Sequence, residues 1–118
     1  MANDFCHIEL NTDNVDRAQQ FYSKLFSWKF EVADMGGHGT YTMITPGAGP
    51  NGGLMKKPMP DAPNMWLVYV QVDNLDTTLA SVPKLGGKVV MPKTPIPNVG
   101  AFGIVQDPTG AVFGVWSK

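Results

Sequence analysis

A chain of 118 residues is long enough for one compact domain or two fused modules, and too short for two independent domains. Apolar residues at 43% and charged residues at 16% exclude a disordered or coiled chain. Nine Lys plus Arg against ten Asp plus Glu leave a net charge of −1, so no basic field is present to hold nucleic acid or an anionic membrane.

Arg17 is the single arginine, which argues against bidentate recognition of phosphate or carboxylate. Met1-Ala-Asn-Asp-Phe5 has neither a positive n-region nor an apolar h-region, and no apolar run approaches the ~20 residues of a spanning helix. Cys6 stands alone, which excludes an internal disulfide and fits a reducing compartment. The expected location is the cytoplasm.

Residues 5–11 alternate, placing Cys6, Ile8 and Leu10 on one face of a strand and Phe5, His7 and Glu9 on the other. Asp13 is a good N-cap, and Asp16 adds negative charge in the first turn. Val15, Ala18, Phe21, Tyr22, Leu25 and Phe26 then follow at helical spacing, predicting an amphipathic helix over 14–27. Strands follow at 28–32 and 40–45, separated by a turn at Gly36-Gly37-His38-Gly39, with a short strand near 53–56. Pro58, Pro60 and Pro63 then form a stiff connector.

The pattern restarts at 66–72. Val68, Val70 and Val72 share one face of this strand, and Leu67, Tyr69 and Gln71 the other. Asp73 or Asn74 caps a second helix whose apolar stripe is Leu75, Leu79, Val82 and Leu85, with Gly86 as the stop. Pro83 conflicts with its last turn. Strands are predicted at 88–91, 101–106 and 111–116, and Asp107-Pro-Thr-Gly110 makes a tight turn between the last two.

The restart is an internal repeat. Asp13-Asn14-Val15-Asp16 returns sixty residues later as Asp73-Asn74-Leu75-Asp76. One inserted residue then aligns Tyr41 with Phe102 and Gly53 with Gly114. Each half is too small to bury a good core alone. The fold class expected is therefore α+β, with two tandem βαβββ modules at 4–57 and 66–118 joined by the Pro-rich connector 58–65, all within one domain over 1–118.

Few motifs carry chemistry. Gly47-Ala-Gly49-Pro-Asn-Gly52 matches the dinucleotide fingerprint in spelling, but prolines follow where a helix must begin, so a hairpin turn is expected. Cys6 lies on the helix-facing side of its strand and reads as a small buried hydrophobe rather than a nucleophile. His7 and Glu9 share the opposite face. An imidazole and a carboxylate there suit metal ligation or acid–base work, and equally a hydrogen-bonded structural histidine.

His7-Ile-Glu-Leu before the capped helix, Arg17-Ala-Gln-Gln-Phe-Tyr within it, Leu25-Phe-Ser-Trp28 at its end and Val72-Asp-Asn-Leu-Asp76 opening the second copy resemble the vicinal oxygen chelate superfamily. This is the glyoxalase, bleomycin resistance protein and extradiol dioxygenase group. Leu85-Gly-Gly87 and Asp107-Pro-Thr-Gly110 are similar to its usual wording, and the resemblance covers essentially the whole chain. It implies two paired βαβββ modules whose sheets curl into a barrel-like cup with the helices outside. It also implies a divalent metal held by the first and last strand of each module. Those four positions fall on His7, Gly53, Leu67 and Gly114, so only His7 brings a donor.

The cup implied by the resemblance is lined by Phe5, His7, Glu9, Met55, Leu67, Tyr69, Gln71, Val112 and Trp116, the make-up of a small-molecule pocket. The leading expectation is a binder of a small, largely apolar molecule, or an enzyme acting on one, with no cofactor. A second is a metal-dependent lyase, isomerase or dioxygenase using His7 and Glu9 with groups from a partner chain. A third is an interaction module whose cup is filled by its own side chains. Unpaired sheet edges predict a homodimer.

Overall fold

The computed structural model describes residues 2–34 and 40–118. The turn expected at Gly36-Gly37-His38-Gly39, and with it His38, lies outside the described residues. The elements are β1 (Phe5–Thr12), α1 (Val15–Leu25), β2 (Lys29–Asp34), β3 (Thr40–Thr45), β4 (Asn51–Lys56), β5 (Met65–Gln71), α2 (Leu75–Lys84), β6 (Lys88–Ile96), β7 (Gly100–Gln106) and β8 (Val112–Ser117). The order is βαβββ twice, as the repeat predicts.

Contacts divide the chain into two units, His7–Leu67 and a second made of Val68–Lys118 with Met1–Cys6. The N-terminal residues belong to the second unit and hydrogen-bond to it at the Gln71 backbone. Asn3 Nδ2 donates to the Gln71 carbonyl at 2.9 Å, and the Gln71 N–H donates to the Asp4 carbonyl at 2.9 Å.

In the first unit the strand order is β2-β3-β4-β1, with β1 and β4 parallel and the other pairs antiparallel. The helix-side core is Leu10, Ile44 and Leu54, packed by Val15, Ala18, Tyr22, Trp28 and Phe30. Burying each such leucine stabilises the fold by roughly 1.5–3 kcal/mol. The second unit repeats the order as β5-β8-β7-β6, with β5 and β8 parallel. Its core is Leu75, Ala101, Val105 and Val115, joined by Val72, Leu79, Val82, Val89 and Phe113.

Several expectations are corrected. The cap of α1 is Asn14, whose Oδ1 accepts from the Arg17 N–H at 3.0 Å, and Asn74 caps α2 through Thr77 in the same way. Asp13 is engaged elsewhere: its N–H donates to Asn64 Oδ1 at 3.1 Å and its Oδ1 accepts from Asn64 Nδ2. The second helix runs through Pro83 rather than stopping before it. The bond Pro83 cannot make is lost only in the last turn. Gly86, at φ +90°, then closes that end, and the Gly87 N–H donates to the Val82 carbonyl at 2.9 Å.

Leu85 leaves the apolar stripe and is 77% exposed, because it is the cap residue beyond the last full turn. β6 extends to Ile96, well past the predicted end at Met91. As the last strand in its order it tolerates Pro92 and Pro95, and its register shifts on both sides of Met91.

Two other readings hold. The glycine-rich stretch 47–52 joins β3 to β4 with no helix after it. The Asp107 turn is tied by its own carboxylate, which accepts from the Thr109 N–H, the Thr109 hydroxyl and the Ala111 N–H at 2.8, 2.7 and 3.1 Å. None of the described helices is long and apolar enough to cross a membrane.

Candidate functional site

Strand periodicity puts His7, Glu9 and Asn11 of β1 on the face opposite Leu10. Leu10 packs toward α1, so these three polar side chains point away from the helix layer. Glu9 and Asn11 are each only 4% exposed. A buried carboxylate is costly unless hydrogen bonds replace its water, and here both of its oxygens are engaged. Asn11 Nδ2 donates to Glu9 Oε2 at 2.7 Å, and the Tyr41 hydroxyl donates to Glu9 Oε1 at 2.8 Å. The same hydroxyl lies 2.7 Å from His7 Nε2. The result is a polar chain, His7–Tyr41–Glu9–Asn11, contained in the first unit.

Tyr41 comes from β3, and it reaches this place because β4 offers a glycine there. Gly53 is register partner to Glu9 of β1 and to Met43 of β3. A Cβ built on Gly53 would overlap the Tyr41 hydroxyl. Glycine is therefore required by close approach. Burial lowers the His7 pKa from its usual value, so the imidazole is neutral at neutral pH.

The second unit has a matching socket with different contents. Gly114 of β8 is register partner to Tyr69 of β5, and a Cβ on Gly114 would overlap the Tyr69 ring. Tyr69 is 3% exposed and meets Phe102 of β7 edge-on, centroids 6.0 Å apart.

Met55 is half-buried and pairs with Asn11. Leu67 is buried on β5, and Gln71 pairs with Trp116, both half-buried. Val112 is half-buried at the start of β8, while Phe5 is 72% exposed. Cys6 donates weakly to the Tyr69 carbonyl at 3.6 Å, and burial pushes its thiol pKa up, which fits an inert thiol.

Asn11 and Tyr41 are absent from the residues singled out on sequence. Asn11 was legible as the next member of the His7–Glu9 face. Tyr41 was legible only in pairing with Gly53, a position with no side chain of its own.

The described residues do not fit a four-ligand divalent site. Gly53 and Gly114 lack donors, and the volume a ligand-bearing side chain would need is taken by Tyr41 and Tyr69. Leu67 has no donor either. Among the described residues no group of three His, Cys, Asp or Glu is placed to hold a metal ion.

A sequence model of the family described as the glyoxalase/bleomycin resistance protein/dioxygenase superfamily matches residues 5–115. The chain belongs to this superfamily. It is 37% identical over 107 residues to CFP32 of Mycobacterium bovis, a protein provisionally named a glyoxylase, covering 91% of this chain and 41% of the relative. It is 30% identical over 127 residues to the anthracycline biosynthesis protein DnrV of Streptomyces peucetius, covering 93% and 45%. The chain thus spans less than half the length of these curated relatives.

Among solved structures, a hypothetical protein of Bacillus halodurans C-125 superposes with a TM-score of 0.71 at 13% identity, over 100% of this chain and 96% of that one. A methylmalonyl-CoA epimerase of Mycobacterium tuberculosis gives 0.64 at 13% identity, over 96% and 86%. At such identities the likeness shows the fold alone. The α+β class and the paired βαβββ modules are those of the superfamily.

Proposed function

We propose that this superfamily member binds a small, largely apolar molecule on the helix-distal face of its first module, anchored by the His7–Tyr41–Glu9–Asn11 chain and without the four-ligand divalent metal of the family. The observation that carries this reading is the Tyr41 hydroxyl, hydrogen-bonded on one side to His7 and on the other to Glu9. It stands where an ion shared by the imidazole and the carboxylate would have to sit. The metal-dependent lyase, isomerase or dioxygenase alternative needs that place, and so is the weaker reading. The proposal includes a homodimer, supported by apolar side chains left exposed on α1, among them Phe21 at 59% and Leu25 at 57%.

Native mass spectrometry of purified protein, joined to a thermal-shift screen of small apolar molecules, tests it. The expected result is a dimer of the 12.8 kDa chain without stoichiometric zinc, nickel, iron or manganese. At least one compound should raise the melting temperature, since binding the native state alone must stabilise it. One equivalent of divalent metal per chain, abolished in His7→Ala, overturns the metal-free reading. A mass of one chain removes the dimer, and a screen with no hit favours an interaction module.

A further inference from the structure

We propose that the α1 flank of the first unit docks on the same flank of a second copy, the two helices antiparallel about a two-fold axis at Phe21. The inference rests on the homodimer included above and assigns its surface. An amphipathic helix buries its apolar stripe, and on α1 only part of that stripe reaches the core. Val15, Ala18 and Tyr22 pack on Leu10, Ile44 and Leu54. Phe21 and Leu25, one turn apart on the flank, stay 59% and 57% exposed. The apolar surface continues past the helix end. The Tyr22 ring lies 5.1 Å from Phe21, 5.4 Å from Trp66 and 6.5 Å from Phe26 between centroids, and Trp66 Nε1 donates to the Tyr22 hydroxyl at 3.2 Å. Phe26 is 45% exposed and Trp66 39%. These rings hold one another in place before anything docks, so little side-chain freedom is lost on association.

Area and symmetry name the occupant. On a scale of about 200 Å² per large side chain, Phe21, Leu25, Phe26 and Trp66 leave roughly 400 Å² of apolar surface in water. A stable interface buries about 800 Å² per partner, a little over half of it apolar. The patch therefore supplies most of the apolar share, and the exposed Arg17, Gln20 and Lys24 beside it supply a polar rim. Arg17 and Leu25 stand four residues either side of Phe21. Antiparallel packing about Phe21 sets the two Phe21 rings together and brings Arg17 of each copy to Leu25 of the other. That end of α1 gathers the orphan carbonyls and the negative pole of the helix dipole, which a guanidinium complements. A self-complementary patch of this kind is what a two-fold dimer requires.

Sedimentation equilibrium on the whole chain tests this with the wild type, Phe21→Glu, Arg17→Glu and a control, Leu85→Glu. Leu85 is 77% exposed and belongs to the second unit. The dimer dissociation constant should rise roughly a hundredfold in Phe21→Glu, which puts a charge at the centre of the interface twice over. It should rise roughly tenfold in Arg17→Glu, where the dipole contact turns repulsive, and stay unchanged in Leu85→Glu. A second readout covers a Phe21→Glu chain that fails to fold. With Cys6→Ser as background, Phe21→Cys should be joined into a covalent dimer by a short bismaleimide, and Leu85→Cys should not. A wild-type dimer that Phe21→Glu leaves intact overturns the assignment and leaves the homodimer standing, as does cross-linking at position 85 in place of 21. A monomeric wild type overturns both. No ligand enters either measurement, so neither depends on the outcome of the ligand screen.

Discussion

The two modules solve one packing problem in two ways. Each leaves a glycine in its last strand, Gly53 in β4 and Gly114 in β8, and each fills the gap with a tyrosine. In the first module the tyrosine arrives from β3 and presents its hydroxyl. In the second it arrives from β5 and presents its ring. The repeat explains the exchange: Glu9 occupies the place that Tyr69 holds sixty residues later, and Tyr41 aligns with Phe102. One pair is a carboxylate with a phenol, the other two rings meeting edge-on. The duplicated backbone kept its socket, and only the first copy set a carboxylate beside it. A ring pair is stabilised by burial and edge-to-face geometry. A carboxylate and phenol survive burial only because each finds a hydrogen-bond partner.

The strongest way to break this comparison uses the two faces of β1. Leu10 is 6% exposed and packs into the helix-side core, so Leu10→Ala should cost about 2–5 kcal/mol of unfolding free energy in urea. His7→Ala, three residues away on the other face, should cost about 1 kcal/mol, the value of one hydrogen bond, while weakening whatever molecule the screen identifies. Equal losses from the two variants mean that His7 is a structural histidine and the polar face is simply core.

The sockets themselves give the next test. Gly53→Ala and Gly114→Ala both overpack, at a typical cost of about 1–3 kcal/mol. Gly114→Ala should lie at the upper end, because the Tyr69 ring is 3% exposed and held against Phe102. Gly53→Ala should lie at the lower end, because Tyr41 is only half-buried and can swing outward. It should instead weaken whatever molecule the screen identifies, since the hydroxyl leaves its place. The reverse order of stabilities in urea melts would mean that the polar module is the more tightly packed of the two.

Much of this was legible before any coordinates. The repeat and its alternating strands placed all eight strands and both helices, since both periodicities are set by the positions of apolar side chains. The exceptions have local causes. Asn14 outcompetes Asp13 because Asn64, fifty-one residues away, engages Asp13, and no local pattern carries that. The length of β6 was hidden by Pro92 and Pro95, which read as breakers and are harmless at an edge. At the site, His7 and Glu9 were visible as neighbours on one strand face. The Tyr41 link was not, because it spans thirty-two residues and three strands and depends on what Gly53 lacks.

The smallest effect expected separates the modules by pH. In the first, burial lowers the His7 pKa, so the unfolded chain binds a proton there more readily than the folded one. The stability this contributes is present above the unfolded histidine value of about 6.5 and is lost as pH falls through the folded value below it. In the second module the shifted group is Asp107, held below the usual carboxylate range chiefly by the Thr109 hydroxyl. Its contribution is present above the unfolded carboxylate value of about 3.9 and is lost only as pH falls below that. Asp107 sits in a surface turn, and its share of stability is small. Melting temperatures taken between pH 7.5 and 5 should therefore fall for the wild type and fall less for His7→Gln, while Asp107→Asn should run parallel to the wild type over that range. A His7→Gln curve parallel to the wild type would mean that His7 is solvated in the native state, and the polar chain of the first module would lose its buried end.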